Sequence, residues 1–402
     1  MARSKHPPKR NYFVRIVGPV LIIGLTLVLA LSGRTENEIL RPADITSEFI
    51  GQRLQLMQDW FLANERLGQT LPYLYYPERK EYSNDDNIVR QLLATQGIFV
   101  LARELSSPEL EQLAFRQLAA TLLEYYREES ETGFGFFEGN GTVKLGGAAL
   151  GIITILESPQ PEIYGVKLSK LADFIRAMQQ LDGSFQTFYR PPDFERNERF
   201  YSGEALLAAA RLARYTGDSS WLDYVEHGLT YYEPLLKTRF MPQFAPWHTM
   251  AYSEMFEQTG EQKYADFVFY LNDRLIDEML QTDVADPAQL GRFYNSKHDS
   301  EWGPPHSSST AVYTEGITYA YDLAMRLGNR ERAERYRNAI RLGTRSLLQL
   351  QYTERDSQDF EYPERIKGAI RRATDRKEIR IDQTGHTANA LPRVSRILKN
   401  PY

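Results

Sequence analysis

The sequence predicts an all-α fold, a closed ring of six helical hairpins preceded by one apolar helix. Three observations support this prediction. From residue 42 onward, apolar residues recur three and four positions apart almost without interruption. The connections between the resulting helices alternate between short and long, and a continuous apolar run stands near the N-terminus. The chain of 402 residues is long enough for two or three average domains or for one large helical barrel.

Composition excludes several classes of function. The chain has no cysteine, which rules out disulfides, thiolate zinc sites and cysteine nucleophiles. Its 48 Lys and Arg residues stand against 53 Asp and Glu residues, so the net charge of -5 provides no broad basic field for nucleic acid. We therefore expect no nucleic-acid partner.

The N-terminus predicts the compartment. Five basic residues within positions 3–15 precede the apolar run 16–31. The positive-inside rule keeps the basic end in the cytoplasm, so the rest of the chain is expected outside it. The predicted organisation is a basic cytoplasmic tail (1–11), a signal-anchor or transmembrane helix (12–33), a linker (34–41) and a toroid domain (42–402). Ala30 and Ser32 also offer a small-residue cleavage site, and a secreted product is the alternative.

The periodicity predicts twelve helices after the linker. Their ranges are 49–62, 87–105, 110–126, 145–157, 164–180, 202–217, 220–236, 244–260, 262–280, 313–328, 330–351 and 383–398.

The connection lengths predict how these helices are arranged. Short turns join four pairs of consecutive helices. The second helix is joined to the third by Ser106-Ser107-Pro108, and similar Gly-containing sequences join the sixth to the seventh, the eighth to the ninth and the tenth to the eleventh. The other connections are mostly long: 69–86, 129–144, 181–201, 281–312 and 352–382, with only 237–243 brief. A repeated helix pair of about 60 residues, occurring six times, predicts an (α/α)6 toroid.

The even-numbered helices are expected to form the inner ring. They are rich in small residues, as in 146–149 and 203–210, which allows close packing around an axis. Every long loop then lies on one face and leads into the N-terminus of an inner helix, so these N-termini surround one mouth. Long loops gathered on one face favour a functional site there.

The chain resembles the six-hairpin glycosidase-like and terpenoid-cyclase toroid superfamily. The segment QQLDGSF (179–185) is similar to a turn repeated in triterpene cyclases, and Asn84-Asp85-Asp86-Asn87 only loosely approximates their acidic proton donor. The zinc-dependent enzymes of this architecture use a cysteine ligand, which this chain lacks. The resemblance therefore implies the carbohydrate branch: glycoside hydrolases, uronate lyases and epimerases. No metal and no cofactor is predicted.

Four residues near the predicted mouth are candidates for acid–base catalysis. Two carboxylates facing each other across a funnel can act as general acid and base on a glycosidic bond, and Glu204 and Glu315 are the predicted pair. Asp382 is an alternative base, and His386, one helical turn later, is placed to share a proton with it. A second interpretation makes Glu204, Glu315 and Asp382 first-turn residues that only complement the helix dipole.

Further residues at the mouth are predicted to bind substrate: Asn87, Arg90, Tyr201, Trp247, His248, Tyr313 and His306. Alternatively, Asn87 and Arg90 tie neighbouring inner helices together, and His306 is an ordinary loop histidine. Loops that mix Phe and Tyr with Arg, Glu and Asn, such as 185–201, suit sugar rings, which have apolar faces and hydroxyl edges.

The segment 352–381 contains a local basic stretch, 371–380, which could line a groove for a uronic-acid polymer. The alternative is a solvent-exposed loop that ends in a short strand, EIRID.

The sequence thus predicts an exported, membrane-anchored protein whose long-loop face binds a polysaccharide or oligosaccharide. Its activity would be that of a glycoside hydrolase or a uronate lyase or epimerase acting on an envelope or extracellular polysaccharide. The alternative is a non-catalytic glycan-binding or envelope scaffold protein with the same fold, in which the inner carboxylates serve only structure.

Overall fold

The structure, a computed structural model, describes residues 39–192, 194, 197–299 and 306–399. The predicted basic tail, the predicted signal-anchor helix (12–33) and most of the predicted linker lie outside the described residues. Within the described ranges, no helix is both long enough and apolar enough to cross a membrane.

Twelve long helices account for most of the described chain. They are α1 (Ser47–Ala63), α2 (Ile88–Leu105), α3 (Pro108–Tyr125), α4 (Leu145–Glu157), α5 (Gly165–Ala177), α6 (Glu198–Thr216), α7 (Ser220–Thr238), α8 (Ala245–Thr259), α9 (Gln262–Met279), α10 (Ser307–Arg326), α11 (Arg330–Gln349) and α12 (Ile381–Lys399).

The even-numbered helices form the inner ring. Each packs against the next, and α12 packs against α2, which closes the ring. A Cβ atom on Gly97 of α2 would lie 2.7 Å from the carbonyl oxygen of Gly385 of α12, so the two backbones meet directly where the ring closes. The odd-numbered helices pack around the outside, and the apolar core lies between the rings. The structure therefore confirms the predicted (α/α)6 toroid.

Contrary to the all-α prediction, the described part of the chain contains seven short β-strands in the connections between helices. They are β1 (Leu74–Tyr76), β2 (Glu81–Tyr82), β3 (Tyr126–Glu128), β4 (Gly135–Gly139), β5 (Thr142–Lys144), β6 (Phe188–Arg190) and β7 (Ile379–Arg380). One antiparallel sheet has the order β2-β1-β7 and the other β3-β4-β5-β6. Strands of two to five residues are too short to show a period of two in the sequence.

Pairing between loops holds the mouth together. Leu74 pairs with Arg380, which joins loops 69–86 and 352–382. Val143 pairs with Arg190, which joins loops 129–144 and 181–201. The backbone N–H of Ser307 donates to the carbonyl oxygen of Arg372 at 2.7 Å, which connects loop 281–312 to the same assembly.

The segment 352–381 is only partly solvated. It ends in strand β7, as the EIRID pattern predicts, but Ile366, Ala369 and Ile370 are completely buried against the ring. These three apolar side chains anchor the segment. Arg371, Arg372 and Arg380 are partly buried, whereas Arg376 and Lys377 are exposed.

Candidate functional site

A cavity of about 340 Å³ opens where the N-terminal parts of the inner helices converge. All six inner helices contribute to its wall, and loops 281–312 and 352–382 supply further residues. A concave, partly apolar site with a few convergent polar groups is the usual form of a small-molecule site. The alternating connection lengths predict this location.

The structure brings most of the predicted site residues to this cavity. Nine of the eleven line it: Asn87, Arg90, Tyr201, Glu204, Trp247, His306, Tyr313, Asp382 and His386. The other two, Glu315 and His248, lie behind the wall and are treated below. Whether any of these side chains binds substrate or takes part in catalysis stays a prediction.

Glu204 is a buried carboxyl group in the cavity wall. Only 4% of the residue is exposed, and its Oε2 atom has no hydrogen-bond partner among the described residues. A Cβ atom on Gly146 would lie 2.6 Å from this oxygen, so the glycine makes room for the carboxyl group. Burial raises the pKa of Glu204 well above its ordinary value, which favours its protonated form. Because α6 begins at Glu198, Glu204 lies in its second turn, and the interpretation as a first-turn residue is wrong.

Asp382 is the second carboxyl group of the cavity, and it is ionised. It lies in the first turn of α12, where Arg380 binds it through Nε–Oδ1 (2.5 Å) and Nη2–Oδ2 (2.8 Å). Arg90 Nε is 3.5 Å from Oδ2. Burial by itself would raise the pKa of Asp382, but the charges of Arg380 and Arg90 and the hydrogen bonds from Arg380 hold it well below its ordinary value.

His386 follows Asp382 by one turn and shares its face of α12, as the spacing predicts. The centroid of its ring is 6.2 Å from that of Trp247. Its Nδ1 atom lies 3.8 Å from Glu315 Oε2, and neither atom has a hydrogen-bond partner in the described part of the chain. His386 is therefore held between the open cavity and a buried carboxyl group.

Glu315 does not face Glu204 across the cavity, so the predicted catalytic pair is wrong in its geometry. Helix α10 begins at Ser307 rather than 313, which puts Glu315 in its third turn, behind His386. The earlier start has a local cause: the His306 side chain accepts a hydrogen bond from the backbone N–H of Ser309 and caps the helix. The first two turns of α10 are rich in Ser and Thr and have no apolar periodicity, so the sequence does not indicate that they are helical.

His306 is therefore a helix cap that also lines the cavity. Its Nδ1 lies 2.8 Å from Ser308 Oγ. Burial lowers the pKa of His306 to about 4, and the nearby charge of Arg380 acts in the same direction against the opposing effect of Asp382.

His248 is not at the mouth, contrary to prediction. It is completely buried, with its ring packed against those of Tyr232, Phe244 and Tyr252 and its Nε2 atom 3.2 Å from Ser202 Oγ. Successive residues of a helix point about 100° apart, so Trp247 and His248 do not face the same way. Burial lowers the pKa of His248 to about 3.

We expect His248 to make the protein sensitive to acid. The unfolded histidine takes up a proton near pH 6.5, whereas the folded one stays neutral to about pH 3. The free energy of unfolding should therefore fall as the pH is lowered from about 6.5 toward 3. In His248→Gln this part of the pH dependence should be missing, which chemical denaturation of both proteins across this range measures. Parallel curves for the two proteins would contradict the assignment.

Several wall residues were not predicted from the sequence, among them Lys144 and Gln243. Lys144 is the residue before α4, where a cation opposes the positive end of the helix dipole. This unfavourable placement is visible in the sequence and could have identified Lys144 as a candidate residue. Arg372 and Arg380, both in the basic stretch 371–380, also line the cavity. Among the described residues, no cluster of three or more His, Cys, Asp or Glu side chains could hold a metal ion.

Comparison with known proteins supports the fold. No family model and no curated protein matches the sequence. Solved structures do match: D-mannose isomerase has a TM-score of 0.65 at 12% identity, with 87% of this chain and 98% of that chain covered. Cellobiose 2-epimerase from Bacillus thermoamylovorans has a TM-score of 0.64 at 12% identity, with 88% and 99% covered. An unsaturated glucuronyl hydrolase specific for heparin has a TM-score of 0.60 at 11% identity, again with 88% and 99% covered.

These similarities extend over nearly the full length of each matched structure, at identities that bear on the fold alone. Together with the closed inner ring, they show that the chain has the (α/α)6 toroid fold of these solved structures.

Proposed function

We propose that the protein is a glycan-active enzyme that uses acid–base chemistry in the cavity at the mouth of the toroid. One observation carries this proposal: the cavity wall holds two carboxyl groups whose pKa values are shifted in opposite directions. Environments that separate two carboxyl groups in this way distinguish a proton donor from a charged partner. Glu204 is the donor, and Asp382 is the ionised partner.

In glycoside hydrolysis, these roles account for every atom. Glu204 donates its proton to the glycosidic oxygen as the bond from that oxygen to the anomeric carbon breaks. A water molecule adds to the anomeric carbon and gives up a proton to the ring of His386, which lines the cavity one turn beyond Asp382 and passes that proton to solvent, while Asp382 stays ionised. The proposed binding residues Asn87, Tyr201, Trp247 and Tyr313 surround the sugar.

A second activity, elimination or epimerisation of a uronate, is favoured by the position of His386. Its Nδ1 atom makes no hydrogen bond to the described residues, and Glu315 behind it, 3.8 Å away, can stabilise the protonated ring. A base of this kind can remove the proton from the carbon next to a carboxylate. Glu204 would then protonate the leaving oxygen in a lyase, or a proton would return to the carbon in an epimerase.

The test is a panel of neutral and uronic-acid polysaccharides incubated with the purified protein. Hydrolysis produces new reducing ends without ultraviolet absorbance, elimination produces an absorbing conjugated double bond, and epimerisation in deuterium oxide exchanges a carbon-bound hydrogen without shortening the chain. Any one of these supports the proposal. Binding without any of them would overturn the enzyme proposal in favour of a non-catalytic glycan-binding protein.

We also propose that the toroid lies outside the cytoplasm, anchored through residues 12–33 or released by cleavage near Ser32. The basic residues before the apolar run support this orientation. A reporter that is active only outside the cytoplasm, fused after residue 402, should be active, and deletion of residues 1–33 should abolish that activity. A fusion of a cytoplasm-dependent reporter at the same position that is active instead would contradict the topology.

A further inference from the structure

Among the described residues, the wall of the cavity carries an excess of positive charge. Four of their cationic side chains line it: Arg90, Lys144, Arg372 and Arg380. Against them stand the ionised Asp382 and Glu204, whose pKa burial raises. Arg380 is paired with Asp382, and Arg372 Nη1 is 3.1 Å from Glu378 Oε1. The described residues provide no full counter-charge for Lys144 and Arg90.

Lys144 is the more informative of the two. Within the described part of the chain it makes no ion pair and no hydrogen bond through its amine. It is partly buried, it precedes the N-terminus of α4, and burial together with the charge of Arg90 lowers its pKa. Burial, the helix dipole and a neighbouring cation all disfavour the ammonium group here. An anion bound beside it would relieve all three.

The backbone around Lys144 is rigid. It is the last residue of β5, where it pairs with Phe188 of β6, and the N–H of Leu145 donates to the carbonyl oxygen of Thr187 at 3.0 Å. The side chain of Lys144 therefore starts from a hydrogen-bonded strand end and reaches the cavity wall from there.

Arg90 is also held in place, and its charge is only partly compensated. Its guanidinium donates to the hydroxyl oxygen of Tyr73 and lies over the ring of the same residue, 5.5 Å from the centroid. The ion pair with Asp382 is long, at 3.5 Å, and both oxygens of that carboxylate already accept from Arg380. Arg90 thus retains the capacity to bind a further anion.

We infer that Lys144 and Arg90 bind the carboxylate of an acidic sugar, so that the glycan recognised by this cavity contains uronic acid. This inference rests on the proposed function and specifies its substrate class. A carboxylate suits a site with one ammonium and one guanidinium group, since each oxygen can accept from one of them. Neutral sugars would leave both charges uncompensated in a partly enclosed cavity.

The test compares acidic oligosaccharides with their neutral counterparts. Isothermal titration calorimetry measures binding of tetrasaccharides of galacturonic, glucuronic and mannuronic acid, of the same compounds after reduction of their carboxyl groups, and of a sulfated neutral tetrasaccharide. We expect the wild-type protein to bind at least one uronate about tenfold or more tightly than its carboxyl-reduced form, with a preference that weakens as salt is added. Equal binding of both forms, or tighter binding of the sulfated compound, would overturn the inference.

Lys144→Gln should abolish most of this preference, and Lys144→Arg should retain it. Neither change touches the Asp382 ion pairs, and loss of a cation at a helix N-terminus should not lower the melting temperature. Lys263→Gln is the matched control, because Lys263 lies in the first turn of α9, at the opposite end of the barrel. An unchanged preference in Lys144→Gln would refute the role of this lysine.

The two proposals fail in different ways. Turnover of carboxyl-reduced and acidic substrates at equal rates would leave the enzyme proposal standing and refute uronate recognition. A uronate preference that depends on Lys144, found without any turnover, would support the recognition site and refute the catalytic role.

Discussion

Glu204→Gln is expected to lower turnover of a glycan substrate by about 10² or more. Burial raises the pKa of this carboxyl group and so favours its protonated form. Glutamine has nearly the same shape and is uncharged, but it cannot donate a proton to the leaving oxygen. Initial rates of the purified variant at saturating substrate measure the effect. Glu162→Gln, at an exposed position between α4 and α5, is the control that should keep full activity.

Glu204→Gln should also change the stability of the protein. A purely structural role of Glu204 predicts the same change, so this measurement checks only that the variant is folded. The folded pKa of Glu204 is raised, so the wild-type protein loses stability as the pH rises above about 4.3, where the unfolded side chain ionises and the folded one does not. Glu204→Gln lacks this penalty and should be at least as stable as the wild type at pH 7. Full activity in a variant with this stability profile would refute the role of Glu204 as acid.

Asp382→Asn is expected to lower the free energy of unfolding by about 3–5 kcal/mol. The change removes the negative partner of Arg380 and Arg90 at a buried site where only 4% of Asp382 is exposed, and it leaves the two guanidinium groups facing each other. Chemical denaturation at pH 7 measures the loss. Asp173→Asn, at an exposed position of α5, should have little effect.

The pH dependence supplies a second measurement on Asp382. Its folded pKa is depressed, so its contribution to stability is complete above the unfolded pKa of about 3.9 and is lost as the pH falls below that value. The difference between wild type and Asp382→Asn should therefore shrink in acid. A constant difference across this range would show that the ion pairs do not stabilise the fold. The activity of Asp382→Asn must be measured well below its melting temperature. At higher temperature, partial unfolding would lower the activity as well and could not be separated from a loss of catalysis.

The sequence alone led to a different expectation for Asp382. If Asp382 only complemented the helix dipole from the first turn, its conversion to the amide would lower the free energy of unfolding by well under about 1 kcal/mol. It does lie in the first turn, but Arg90 comes from α2, almost 300 residues earlier in the chain, and only the closing of the ring brings it to Asp382. Long-range ion pairs of this kind leave no local pattern in a single sequence.

The helices and their order could be read from the sequence because their signals are local. An outer helix such as α9 repeats its buried side chains every three to four residues, and an inner helix such as α4 is short and rich in glycine and alanine. The alternation of connection lengths then leaves few arrangements other than nested rings. Helix starts were less accurate: Glu204 and Glu315 lie deeper in α6 and α10 than the periodicity indicates, because polar first turns carry no apolar repeat.

By itself, the sequence determined the helical hairpins, their up-and-down order and the end of the barrel at which the polar loops gather, since periodicity, glycine turns and loop lengths act over a few residues. Only the tertiary structure decided which polar side chains share the cavity. It placed Glu315 behind His386, enclosed His248 among aromatic rings and set Lys144 in the wall. The physical reason is that burial, charge pairing and the direction of a side chain depend on partners from distant parts of the chain, which meet only when the inner ring closes.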